Sequence, residues 1–334
     1  TSMSFSVVNE RTGLEYAATS LDALFCQRRN AFSPAFHLML VDLLRFYRDA
    51  KRSLARDPGA ITLGEFVRAH RYGTTFVESH LVPMASALWS APEVDVLELP
   101  LGFVARFMDN HRMLDLTGRP DWRVVRGGSS RYVEALRRGA RFAIRSEARV
   151  SRVARVERGV ELTVNGRTER FDHVVLACHS DESLALLASP TDDERALLAA
   201  IPYQENRVVL HTDRRLLPSH RSAWAAWNAR VPRDPKAPCS VSYCMNVLQG
   251  FATDEPVVVT LNDDGSIDPS RVLARVTYHH PVFTREGIAA QARVHAIDGV
   301  DRVSFAGAYW GYGFHEDGVA SAIRVASRLG VSWS

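Results

Sequence analysis

The residues best able to do chemistry lie near the C-terminus, in Val-Ser-Phe-Ala-Gly-Ala-Tyr-Trp-Gly-Tyr-Gly-Phe-His-Glu-Asp-Gly-Val at 303–319. Residues 303–306 form a short apolar run that reads as a buried strand, and Gly307 ends it. Glycine then alternates with large aromatics. From Glu316 the apolar positions Val319, Ala322, Ile323, Ala326 and Leu329 recur at helical spacing. Glu316 and Asp317 in the first turn, with Arg324 and Arg328 near the end, suit the helix dipole. Gly318, Ala320, Ser321 and Ala322 are small enough for that first turn to approach a flat partner closely. A glycine-rich strand-to-helix turn with free amide donors receives an anion or the electron-rich edge of a ring. A generic strand and helix of an α/β domain is the plainer alternative, and packing alone explains the aromatic-glycine string poorly.

Other catalytic spacings are missing. No Gly-x-Ser-x-Gly, no Cys-x-x-Cys and no well-set pair of acids occurs, which argues against hydrolase, dithiol and glycosidase chemistry. Cys26, Cys178, Cys239 and Cys244 form neither a disulfide framework nor a metal spacing, and suit a reducing cytoplasm. Asn262-Asp263-Asp264-Gly265 lacks the spaced ligands and terminal Glu of a calcium loop and reads as an exposed turn. His279 and His280 on one strand point to opposite faces, so they do not chelate one metal together. No metal site is expected.

The elements that carry these residues follow from local signals. Strands at 4–8 and 14–16 flank the turn-rich Asn9-Glu10-Arg11-Thr12-Gly13, a hairpin. Ser33 as cap and Pro34 as first helical residue open a long helix carrying Phe36, Leu40, Leu43, Leu44 and Tyr47, which stops before Asp57-Pro58-Gly59. Thr62-Leu63-Gly64-Glu65 is a capping box for a helix to about His70. Gly73-Thr74-Thr75 restarts a third helix running towards Trp89, and Leu99-Pro100-Leu101 begins one reaching Asn110. Residues 33–112 are thus a helical block whose Leu and Phe stripes are core or pocket lining. A strand at 122–126 then runs into Gly127-Gly128 and a helix bearing Tyr132, Val133 and Leu136. Strands at 142–144, 148–153, 160–164 and 169–171, the last pair joined by Asn165-Gly166, lead to an apolar strand within 172–178. His173 and His179 flank it as structural residues. Helices at 183–187 and 192–200 precede strands at 207–211, 222–228, 239–244, 257–261 and 275–283. Trp224 and Trp227 fit a sheet with one face over a cavity. A helix at 288–296 leads back to the closing segment.

In this order the elements resemble the FAD-dependent amine oxidase superfamily, most closely a bacterial NAD/FAD-binding branch. The Phe305-Ala306-Gly307 turn, Asp317-Gly318 at a helix start, the Gly-Gly after a strand and the Asp-x-Val-Val-x-Ala run at 172–177 carry the resemblance. It implies FAD as cofactor. Asp317, Gly318 and Val319 would face the flavin pyrimidine edge, Gly307 and Ala308 would pass the ribityl-pyrophosphate, and the Val150 backbone would meet the adenine. Gly127 and Gly128 would mark re-entry into the FAD domain. Trp310, Tyr312 and His315 become the catalytic candidates on the substrate side, with Tyr278 and His279 behind them. The implied fold is α/β, a Rossmann-like FAD/NAD(P)-binding domain interleaved with an α+β substrate domain. Residues 1–117 and 201–297 would belong to the substrate domain, and 118–200 and 298–334 to the FAD domain.

Three departures qualify this. Ala308 stands where many amine oxidases have Glu, so a side-chain contact to the ribityl chain is lost. No Gly-x-Gly-x-x-Gly follows a strand, so the Rossmann-like domain is expected to be incomplete at its N-terminus and the chain to be a fragment; divergence is the alternative. The only lysines, Lys51 and Lys236, lie in no motif matching the lysine that amine oxidases often bond through water to flavin N5. The expected activity is hydride transfer to FAD, which carries the chemistry itself. An apolar substrate such as a lipid chain or isoprenoid is favoured over an amine. A truncated, non-catalytic remnant and a structural flavin-binding module are the other readings.

Composition agrees with a soluble enzyme. The 334 residues are 46% hydrophobic and 24% charged, enough for one large or two interlocked domains. A net charge of +3 from scattered arginines gives no reason to expect nucleic acid. A pI near 8.7 permits weak peripheral contact with anionic lipid. No apolar window of about 18 residues and no signal peptide is visible, so a cytoplasmic protein without a membrane span is expected.

Overall fold

The computed structural model describes residues 1–56, 61–89, 93–118, 120–234, 237 and 239–332. The turn expected at Asp57-Pro58-Gly59, and Lys236, lie outside them. The chain divides into two compact units, one from Thr1–Gly139 with Glu205–His280 and one from Ala140–Gln204 with Pro281–Ser334. Elements are numbered along the chain.

In the first unit, β1 (Phe5–Asn9) and β2 (Leu14–Ala17) form the expected hairpin. Asn9 Oδ1 builds its turn by accepting from the N–H groups of Arg11 and Thr12. After the short α1 (Leu21–Leu24), α2 (Pro34–Ala55) starts at Ser33, whose side chain accepts from Phe36 N. Its buried face is Phe36, Met39, Asp42, Phe46 and Ala50, while Leu44 is exposed. The leucine stripe therefore flanks the core face instead of forming it. Asp42 can be buried because it accepts from Gly73 N at 2.8 Å and pairs with Arg45. The capping box of α3 (Leu63–Ala69) is present in both directions, Thr62 with Glu65.

The third helix is α4 (Thr74–Phe76), a π-helical turn (Val77–Leu81) and α5 (Val82–Trp89). Pro83 explains the irregularity. It has no N–H for the carbonyl of Ser79, and that oxygen instead accepts from the Tyr16 hydroxyl at 3.0 Å. Then follow α6 (Glu93–Glu98), which the sequence reading lacked, α7 (Leu101–Asn110), and α8 (Ser130–Gly139).

No strand forms at 122–126 or at 142–144. Both segments have β-forming residues, but a strand exists only where a partner satisfies its backbone, and these find none. Tyr132, Val133 and Leu136 of α8 are likewise exposed.

The first unit's sheet has the order β11-β7-β10-β9-β8-β1-β2. Its later strands are β7 (Tyr203–His211), β8 (Trp227–Val231), β9 (Ser240–Cys244), β10 (Val258–Leu261) and β11 (Val272–Pro281), with α11 (Met245–Gln249) after β9. The strand expected at 222–228 begins only at Trp227. Trp224 lies before it, with its indole N–H on Pro218 O, so the two tryptophans do not alternate along one strand.

A buried polar row crosses the sheet. Ser6 Oγ donates to Asn228 Oδ1, Asn228 Nδ2 to Ser242 O, and the Ser242 and Thr260 hydroxyls meet at 2.8 Å. His211 closes the row: Nδ1 accepts from Asp213 N, so Nε2 carries the proton and donates to Thr260 Oγ1 at 2.7 Å. Burial holds the His211 pKa below its ordinary 6.5. The unfolded chain thus binds a proton that the folded one refuses. This stability is present above pH ~6.5 and is lost as pH falls through the lower folded value. Denaturant unfolding across that range should show the loss, and His211→Gln should flatten it.

In the second unit β3 (Val150–Val156), β4 (Gly159–Val164) and β5 (Arg167–Phe171) form an antiparallel meander. Its second turn uses Asn165 and Gly166, both at positive φ, as that pair favours. β6 (Val174–Leu176) pairs in parallel with β12 (Val303–Phe305). Around them lie α9 (Ser180–Leu186), α10 (Asp192–Ala199), α12 (Arg285–Ala292) and α13 (His315–Arg328). The core is built from Val153, Leu176, Leu198, Ile297, Val303 and Phe305. Among the described residues no helix is long and apolar enough to cross a membrane.

Candidate functional site

The aromatic-glycine segment starts where β12 stops. Val303 stands opposite Val174 and Phe305 opposite Leu176, and Ala306 N extends the ladder to Leu176 O at 2.9 Å. Gly307 is extended, a conformation open to any residue, yet only glycine fits. A Cβ there would lie 2.2 Å from the ring of Tyr309. Residues 308–313 fold into a tight turn in which Trp310 N donates to Gly307 O, and Gly311 N and Gly313 N to Ala308 O. A Cβ on Gly311 would lie 2.2 Å from Asp317 Oδ1. That carboxylate accepts from Phe314 N at 2.9 Å, capping α13.

Three side chains outside the loop hold it. Gln291 Nε2 donates to Tyr309 O at 2.8 Å and Gly311 O at 2.6 Å. Ser321 Oγ accepts from Gly307 N and donates to Gly318 O. Fully buried Asp298 accepts from Phe305 N and pairs with Arg324, whose other nitrogen donates to Phe305 O. None of the three belongs to a motif; only their distance in the fold reveals them.

Gly307, Ala308, Trp310, Tyr312, Asp317 and Gly318 are brought together, half-buried, while His315 and Val319 are exposed. Trp310 and Val150 pack against the same core. Burial raises the Tyr309 pKa, so its hydroxyl stays protonated. Asp317 turns to the cap, so the donors that α13 offers are the backbone N–H groups of its first turn, which have no intrahelical acceptor. Gly127 and Gly128, both at positive φ, belong to the first unit, in the turn before α8. Tyr278 and His279 are exposed on β11 of that unit. His173 hydrogen-bonds Ser304 and His179 stacks on Tyr203.

Among the described residues, Glu15, Cys26 and His220 of the first unit bring potential metal-ligand atoms within 4.8 Å of one another. No spacing exposes it in the sequence. The Glu15 carboxylate already accepts from Ser219 Oγ, His220 N and the His220 ring, and burial first, then Glu15, raises the Cys26 thiol pKa. These contacts fasten residues 219–220 to β2, and the thiol is disfavoured as a ligand.

A family model for flavin containing amine oxidoreductase matches residues 15–277. A CLA-producing fatty acid isomerase from P. acnes is similar in structure, with TM-score 0.65 and 12% identity over 99% of this chain and 81% of that one. Cyclohexylamine oxidase from Brevibacterium oxydans gives TM-score 0.60 and 15% identity over 98% of this chain and 81% of that one. Reduced UDP-galactopyranose mutase gives 0.58 and 13% over 98% and 79%. No curated protein matches in sequence. At such identities the likeness shows the fold, the mixed α/β architecture of FAD-binding enzymes of the amine oxidase type.

Proposed function

The chain belongs to the flavin-containing amine oxidoreductase family, and from that membership we propose that it oxidises an apolar substrate, a lipid chain or isoprenoid. It is an FAD-dependent oxidoreductase. The residues present fit the cofactor. A Cβ on Gly318 would meet only Ala308 Cβ, at 4.0 Å, so no other group covers the helix at that position, as the approach of a flat ring would require. FAD, when bound, accepts the hydride. The chain's own part would be to receive the ring edge on the α13 amides and to keep Gly307 and Ala308 slim. Trp310 and Tyr312 would exclude water from the reacting face.

The observation that supports an apolar substrate is the character of this loop. It offers half-buried Trp310 and Tyr312, while Asp317, a candidate partner for an ammonium, is engaged by the helix cap. Lys51 is likewise held, by Asp115. The similar fold of a fatty acid isomerase supports the same reading. The test is to load the purified chain with FAD and mix it without oxygen with unsaturated fatty acids, isoprenoids and primary amines. Bleaching of the flavin band by an apolar compound is expected. Bleaching by amines alone would overturn the substrate class, and bound FAD that nothing reduces would make this a structural flavin module.

A further inference from the structure

We propose that Gln291 is a positioning residue that fixes the Tyr309–Trp310 and Gly311–Tyr312 peptide planes and so sets where the aromatic turn meets the flavin. The proposal rests on the flavin reading above, but its core claim concerns the protein alone. Gln291 stands near the end of α12, a helix anchored at its start by Thr284, whose hydroxyl accepts from Gly287 N at 3.0 Å. A Cβ on Gly287 would lie 3.1 Å from Ala200 O, so α12 sits tight against the chain leaving α10. From that support the side chain reaches Tyr309 O and Gly311 O together. Carbonyl oxygens only accept, so the amide must present its NH2, and both hydrogens of one nitrogen are used. No other uncharged side chain offers two hydrogens from one nitrogen in this geometry, apart from the shorter Asn. A Glu would set a carboxylate against two carbonyls.

The consequence is local. Trp310 lies between the two clamped carbonyls, and its ring is packed on the core with the Arg324 guanidinium 6.0 Å from its centre. Backbone and ring are therefore fixed from opposite ends. Without the clamp the turn loses its tie to α12, and its own hydrogen bonds open more readily.

Hydrogen exchange on the FAD-free protein tests this, comparing the wild type with Gln291→Met, which keeps the side chain's length, and Gln291→Glu. The amides of Trp310, Gly311 and Gly313 should exchange on the order of tenfold faster in both variants, with the β3–β5 meander unchanged. FAD titration then reads the consequence: weaker binding and an altered visible flavin spectrum, with a melting temperature only slightly lower. Unchanged exchange at 310–313 would overturn the clamp, and accelerated exchange throughout the unit would reduce Gln291 to a general stabiliser. A local exchange effect with an identical flavin spectrum and affinity would overturn its positioning role. A wild type that takes up no FAD would count against the flavin reading, and the exchange result would still decide the clamp.

Discussion

Gly307→Ala is expected to lose about 2 kcal/mol of stability and at least tenfold in FAD affinity. The added methyl would lie 2.2 Å from Tyr309 Cε1 and 2.6 Å from Cδ1, and Tyr309 is buried against Trp310. The ring cannot swing away cheaply, because it is buried, and the backbone beneath it is tied to Gln291. The turn must open, and the segment expected to pass the cofactor's ribityl-pyrophosphate opens with it. Gly318→Ala provides the contrast. It meets only Ala308 Cβ at 4.0 Å, an ordinary contact, and alanine in a helix is better than glycine by up to about 1 kcal/mol, so the FAD-free protein should be as stable or more so. If the flavin edge lies on the first turn of α13, that same methyl weakens FAD binding. Urea unfolding and FAD titration of both variants separate the two effects, and a Gly318→Ala protein that binds FAD normally would move the flavin elsewhere.

Asp298→Ala is expected to destabilise the second unit by about 3 kcal/mol. The carboxylate is completely buried, accepts from Phe305 N at 3.2 Å and faces Arg324 at 3.0 Å and Arg328 at 3.6 Å. Its removal leaves a buried backbone donor without an acceptor and Arg324 without its counter-charge. Arg324 is partly exposed and recovers some hydration, which places the loss at the lower end for a broken buried pair. Arg324 also donates to Phe305 O, so one ion pair joins β12 to α13. Asp298→Asn keeps the acceptor for Phe305 N and should lose less. Equal melting temperatures for wild type and Asp298→Ala would refute the assignment.

Much of this was legible in the chain because the signals are local. The Asn9–Gly13 turn, the Ser33-Pro34 start, the Thr62–Glu65 box and Asn165-Gly166 each act within a few residues, and each stands where expected. Strands were less legible, because a strand needs a partner. Residues 122–126 and 142–144 have the composition of strands and none of the pairing, whereas β1 finds β8 more than two hundred residues away. On α2 the period was right and the phase wrong, since Asp42 is drawn inward by Gly73 N and Arg45. At the site the aromatic-glycine string disclosed the loop. Its fastenings, Gln291, Ser321 and Asp298, are common residues whose meaning depends on position. Asp317 was placed correctly at the helix start, but its side chain serves the cap.

The pairing of β6 with β12 has a bearing on how the protein is made. Residues 174–176 leave the ribosome long before residues 303–305, and the first unit's strands β7 to β11 are synthesised between them. At ~5–20 residues per second the wait is on the order of 10 s. Throughout it the apolar strand β6 and the core side chains of the second unit lack their mate, a half-finished sheet open to any passing strand. Neither unit is continuous in the chain, so neither can be completed in the order it is read. Chaperone dependence in the cell should accordingly exceed what the stability of the finished molecule implies, and a ribosome stalled before residue 303 should display a second unit that is still sensitive to protease.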